Sequence, residues 1–87
     1  MDFSVLQDCL ISNFEDKSIF LQVSGAIEFY KSINNCKIVL DKKLLYITDG
    51  NDNNFQLDMT FFDNFSFNDS VLVIELSNDI VISIDAL

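Results

Sequence analysis

The chain has 87 residues and sets 14 Asp and Glu against five Lys, for a net charge of −9. It contains no His, Arg, Pro or Trp, which excludes imidazole-dependent triads and metal sites as well as bidentate guanidinium clamps on phosphate. The charge argues against nucleic acid or an anionic membrane as a direct partner, while an apolar fraction of 49% separates the chain from acidic disordered tails.

The first predicted element is a helix over about residues 2–15. Phe3, Leu6, Cys9, Leu10 and Phe14 recur at three- and four-residue steps and form one apolar stripe. Asp2 can cap its first turn, and Glu15-Asp16 oppose the macrodipole where the helix should stop. From Ser18 the period changes to two. Ile19, Leu21 and Val23 point one way, and Phe20, Gln22 and Ser24 the other. Gly25 permits a turn or bulge, after which Ile27, Phe29 and Ile33 alternate with Glu28, Tyr30 and Ser32. Asn34-Asn35 signals a turn, because Asn tolerates the left-handed region.

Cys36, Ile38 and Leu40 follow, and Lys42-Lys43 fits a two-residue hairpin loop. That register sets Leu40 opposite Leu45 and Ile38 opposite Ile47. Residues 49–54 are the clearest loop. Phe55, Leu57, Met59 and Phe61 then alternate with polar neighbours, whereas residues 61–67 fit no single period. In the last hairpin, a three-residue loop at Ser77-Asn78-Asp79 pairs Ile74 with Ile82 and Leu72 with Ile84. A two-residue loop would turn the whole apolar set over. The longer loop is therefore predicted, with Asn78 or Asp79 left-handed. The sum is a single α+β domain, mainly β, spanning residues 1–87. Its one N-terminal helix packs on a bent antiparallel sheet or partial barrel of six to seven short strands.

Constellations that could carry chemistry are weak. Asp49, Asn51 and Asn53 match three positions of a calcium loop, but Asn54 and Thr60 stand where Gly and Glu are needed. Carboxylate pairs such as Asp58 with Asp63, or Glu75 with Asp85, lack any sign of the burial that separates catalytic pKa values. Cys9 and Cys36 read as buried core thiols with no activating base. No catalytic residue, cofactor or metal is expected. Two scarce cysteines and a start of Met1-Asp2-Phe3 without a signal-peptide pattern suggest a reducing, cytoplasmic setting.

The charge is uneven. Residues 1–43 hold six acids and all five lysines, while residues 44–87 hold eight acids and no base. Phe61, Phe62, Phe65 and Phe67 lie among these acids. By strand parity Phe61, Phe65 and Phe67 share one face and Phe62 the other, which makes Phe62 a candidate exposed anchor. With it, Asp58, Asp63, Asp69, Glu75 and Asp85 form the candidate partner-binding set. Lys31, Lys37, Lys42 and Lys43 read as guards of strand edges.

Small size, strong acidity and missing catalytic types resemble the small acidic inhibitors that bacteriophages and mobile elements encode against host defence, anti-CRISPR proteins among them. The resemblance is one of composition, not of a motif. It implies a basic partner surface, such as a nucleic-acid-binding enzyme in the host-cell cytoplasm, blocked by carboxylates that imitate DNA. The alternative is a homodimer or larger assembly in which edge strands pair and the Phe patch is buried between copies. An enzyme using glycosidase-like carboxylates is the third expectation, and a chain this short leaves little room for its cleft.

Overall fold

The structure, a computed structural model, describes residues 3–25 and 28–87. Helix α1 spans Ser4–Phe14 and buries Leu6, Leu10 and Phe14, the centre of the predicted stripe; Phe3 and Cys9 are half-buried at its margins. The helix is shorter than predicted. Its cap position is Phe3, which makes no side-chain cap bond, and the predicted cap Asp2 lies outside the described residues, as does Ile27. It ends at Glu15, where the backbone turns extended, and Asp16 follows at φ 64°.

Among the described residues eight strands follow: β1 (Ile19–Ser24), β2 (Phe29–Ile33), β3 (Lys37–Asp41), β4 (Leu44–Thr48), β5 (Asn54–Asp58), β6 (Phe62–Asn68), β7 (Val71–Leu76) and β8 (Val81–Ala86). The fold is α+β and mainly β, as the sequence predicts, but the strands divide into two antiparallel sheets rather than one. Five strands pair in the order β2-β1-β8-β7-β6, and three in the order β3-β4-β5. The smaller sheet is a meander of consecutive hairpins. The larger joins the two halves of the chain through the β1–β8 pairing.

The predicted registers hold in two hairpins, and one further predicted turn holds beside them. Leu40 faces Leu45 and Ile38 faces Ile47 across the Lys42-Lys43 turn, in which Lys42 adopts φ 56°. Ile74 faces Ile82 and Leu72 faces Ile84, and the left-handed loop residue is Asp79 at φ 67°. Asn35 takes the predicted left-handed turn position at φ 48°. In both hairpins the apolar set lands on the buried face, so burial and turn geometry select the same register.

The parity assigned to the Phe cluster is corrected. Met59–Phe61 form one turn of 3-10 helix, and the β6–β7 register shifts between Phe62 and Asn64. This bulge inserts one residue and reverses the alternation. Phe62, Phe65 and Phe67 therefore share the face of their partners Leu76, Ile74 and Leu72, while Phe61 is left 54% exposed in the 3-10 turn.

One apolar cluster joins all layers. Ile19, Leu21, Leu72, Ile74, Ile82 and Ile84 from the inner face of the larger sheet meet Ile38, Leu40, Leu45, Ile47 and Phe55 from the smaller. The helix lies over β6. Phe3 packs on Phe62 with ring centres 5.5 Å apart, and Phe14 meets Phe67 edge-on at 6.1 Å. Eleven helical steps cover about 16 Å and five strand steps about 17 Å, so helix and strand run side by side. Cys36 seals the helix end. Its thiol donates to the Phe14 carbonyl at 3.1 Å, its N–H to Lys17 at 3.0 Å, and its carbonyl accepts from Asp16 at 2.8 Å.

Candidate functional site

The inner face of the larger sheet is covered by the helix and the smaller sheet, which leaves its outer face open. The registers place side chains there in three rows across the strands. Ser32, Phe20, Asp85, Val71 and Asn68 form the first, and Tyr30, Gln22, Ser83, Val73 and Ser66 the second. Ser24, Val81, Glu75 and Asn64 form the third. An antiparallel sheet with one wet face normally alternates apolar inward with polar outward. This one departs from that rule through Phe20 and Tyr30, stacked at 5.8 Å, and through half-buried Val71, Val73 and Val81. Its charges are Glu75 and Asp85, and no lysine stands on it: Lys31, the one lysine in these five strands, projects from the opposite face beside Leu21.

The six candidate residues are partly brought together. Glu75 and Asp85 share the open face but do not oppose each other. Glu75 faces Val81, and Asp85 faces Val71 and Phe20. Asp69 occupies the β6–β7 turn with Ser70, both left-handed at φ 52° and 67°, and Asp63 is the residue inserted at the bulge. All four acids are exposed and lie on or beside the β6–β7–β8 half of the sheet. Phe62 is not an exposed anchor. It is half-buried on the inner face between Phe3 and Phe65. Asp58 sits apart, on the smaller sheet opposite Leu44. Its carboxylate accepts the Thr60 hydroxyl at 2.5 Å and the Thr60 N–H at 2.9 Å. Those bonds, the hydroxyl's first, hold its pKa below the ordinary carboxylate value.

Strand alternation puts Phe20, Tyr30 and Val73 on the outer side, but sequence reasoning left them out of the candidate partner-binding set. The available signal was apolar residues at both parities of β1 and β7.

The loop around Asp49 uses its polar groups internally. The Asp49 carboxylate accepts the N–H of Asn51 at 2.8 Å and of Asn53 at 3.4 Å, and its own N–H bonds the Asn53 carbonyl at 3.1 Å. Both cysteines are free, and burial pushes both thiols up from their ordinary pKa, which disfavours the reactive thiolate. A cleft of about 420 Å³ opens between β2 and β5, lined mainly by Val23, Phe29, Phe55, Leu57 and Ile80, with Lys31 at its wall. None of the six candidate residues lines it. Among the described residues no charged side chain is buried, and no helix is long and apolar enough to cross a membrane. Compared with protein families, characterised proteins and solved structures, the chain matches none of them.

Proposed function

We propose that the protein is a non-catalytic binding module whose open sheet face docks on a basic protein surface. The observation that carries this reading is the lysine-free outer face of the larger sheet, with Glu75 and Asp85 on it and Asp63 and Asp69 beside it. Its apolar component, Phe20, Tyr30 and three valines, supplies contact area, while the acids set the sign of the partner and speed encounter. A basic surface of this kind is what a nucleic-acid-handling protein presents. The reading therefore extends to an inhibitor that occupies such a site in place of nucleic acid, as acidic inhibitors of phages and mobile elements do.

The test is capture of partners at low and physiological salt, followed by affinity measurements on the isolated partner. A basic protein should be recovered, and the Glu75→Lys, Asp85→Lys double variant should bind it at least about tenfold more weakly, with a flatter salt dependence. Lys37→Glu on the smaller sheet serves as the control and should change little. Equal affinity of wild type and double variant overturns the proposal.

A further inference from the structure

We propose that the free edge of β6 receives an extended segment of the partner as a sixth strand of the larger sheet, the segment alternating apolar and basic residues. This rests on the reading of the protein as an acidic binding module and assigns the point of attachment.

Two sheets leave four edge strands, and they are not equivalent. β2 turns Lys31 toward its inner face, so a strand added there would bury an ammonium, and its Ser32 carbonyl already accepts the Asn53 side chain at 2.7 Å. β3 is closed by the end of the helix. The Ile38 N–H donates to the Glu15 carboxylate at 3.2 Å, and Lys37 pairs with Asp16. β5 has five residues, runs into the 3-10 turn and faces β2 through Phe55 and Phe29. β6 is the longest edge, with seven residues and no lysine. Its bulge ends at Asn64, and from there to Asn68 it pairs with β7 without a break. Among the described residues, no hydrogen bond from outside the sheet reaches this stretch.

The turn fixes which backbone groups are free. Two left-handed residues, Asp69 and Ser70, make a two-residue hairpin, so Asn68 and Val71 exchange both hydrogen bonds. Bonded pairs then alternate: Ser66 with Val73 and Asn64 with Glu75 are bonded, and Phe65 and Phe67 direct their N–H and C=O away from β7. These are the groups a sixth strand would engage, as in other β-strand additions.

Side chains specify the occupant. On the inner face the new strand would meet Phe65 and Phe67, the latter still 37% exposed, which calls for apolar residues. On the outer face it would meet Asn64, Ser66 and Asn68, with Asp63 and Asp69 at the ends and Glu75 across from Asn64, which calls for lysine or arginine. A second copy is a poor occupant. Antiparallel β6–β6 pairing that satisfies Phe65 and Phe67 is centred on Ser66 and sets Asp63 against Asp69 twice, and like charges directly opposite repel.

The experiment follows amide hydrogen exchange by NMR on the full chain, with a seven-residue acetylated peptide alternating lysine and valine as probe, at low salt. The Phe65 and Phe67 amides should exchange quickly in the free protein and slow by at least about tenfold with the peptide. Ser66, already bonded to β7, should change little. A semisynthetic chain N-methylated at Phe67 keeps the side chain and loses one edge donor; it should fold and lose most of the peptide affinity. Peptide binding that shifts Glu75 and Asp85 without protecting Phe65 and Phe67 overturns the edge assignment and leaves the acidic-face reading standing. No binding at low salt overturns both. Protection that rises with protein concentration alone assigns the edge to a second copy and overturns the proposal.

Discussion

The two sheets share one core but are assembled differently. The smaller is a run of neighbouring hairpins, β3-β4-β5, with Lys37 at the start of β3 and Lys42-Lys43 at the turn that ends it. The larger draws β1 and β2 from the first half of the chain and β6 to β8 from the second, yet its outer face carries no lysine. The division of charge along the sequence is therefore not the division in space. Strand parity makes the difference. Lys31 lies in the lysine-bearing half and within the larger sheet, but its position opposite Leu21 turns it to the inner face.

If the two sheets are one cooperative unit, damage to either core must unfold both. Ile84 is fully buried between Leu21 and Leu72, and Ile47 is fully buried between Ile38 and Phe55. Ile84→Ala and Ile47→Ala should each cost about 2–5 kcal/mol. Urea unfolding should stay a single transition, with the same midpoint reported by residues of either sheet. An Ile47→Ala variant that loses the smaller sheet while the larger keeps the wild-type midpoint would show two units instead of one.

A smaller effect separates the glycines. Gly25, after β1, has φ 141°, and a Cβ there would stand 2.8 Å from the Asp79 carbonyl oxygen in the β7–β8 loop. Gly50, in the loop after β4, has φ 85° and open space around it. Gly25→Ala combines strain with a backbone clash and should cost about 1–3 kcal/mol. Gly50→Ala carries strain alone, about 1 kcal/mol. For a domain of this size each kcal/mol lowers Tm by about 4–8 °C. Thermal melts of the two variants should therefore rank Gly25→Ala below Gly50→Ala, and the reverse order would deny the close approach of the two loops.

These contrasts show how far the sequence can be read. The β3–β4 and β7–β8 hairpins were legible because each joins a short turn to strands with one apolar set, so a wrong register would expose that set. The division into two sheets was not, since it depends on the β1–β8 pairing between residues near opposite ends of the chain. Nor was the face of Phe62, because the 3-10 turn and the bulge at Asp63 each break the period from which parity is counted. Of the candidate acids, Glu75 and Asp85 were placed by the last hairpin's register, with Val71, Val73 and Val81 beside them. Asp58 was grouped with them by sequence proximity, although it belongs to the smaller sheet.

Asp58 gives the finest test of that separation. Its carboxylate is exposed and accepts both the N–H and the hydroxyl of Thr60, which caps the 3-10 turn between the sheets. Because its pKa is lowered on folding, the ionised form stabilises the native state. That contribution is fully present above the unfolded-chain pKa, near 3.8, and is lost as pH falls through the lower folded value. Asp58→Ala should thus be slightly less stable than wild type at neutral pH, with the gap closing in acid. Binding of a basic partner should be unaffected, in contrast to the Glu75→Lys, Asp85→Lys variant. Urea midpoints of both proteins between pH 7 and 2 measure the gap directly. A gap that persists at the lowest pH would show that the neutral side chain stabilises the turn through its hydrogen bonds to Thr60 and not through its charge, since protonation removes the charge in both states and leaves a carbonyl oxygen to accept.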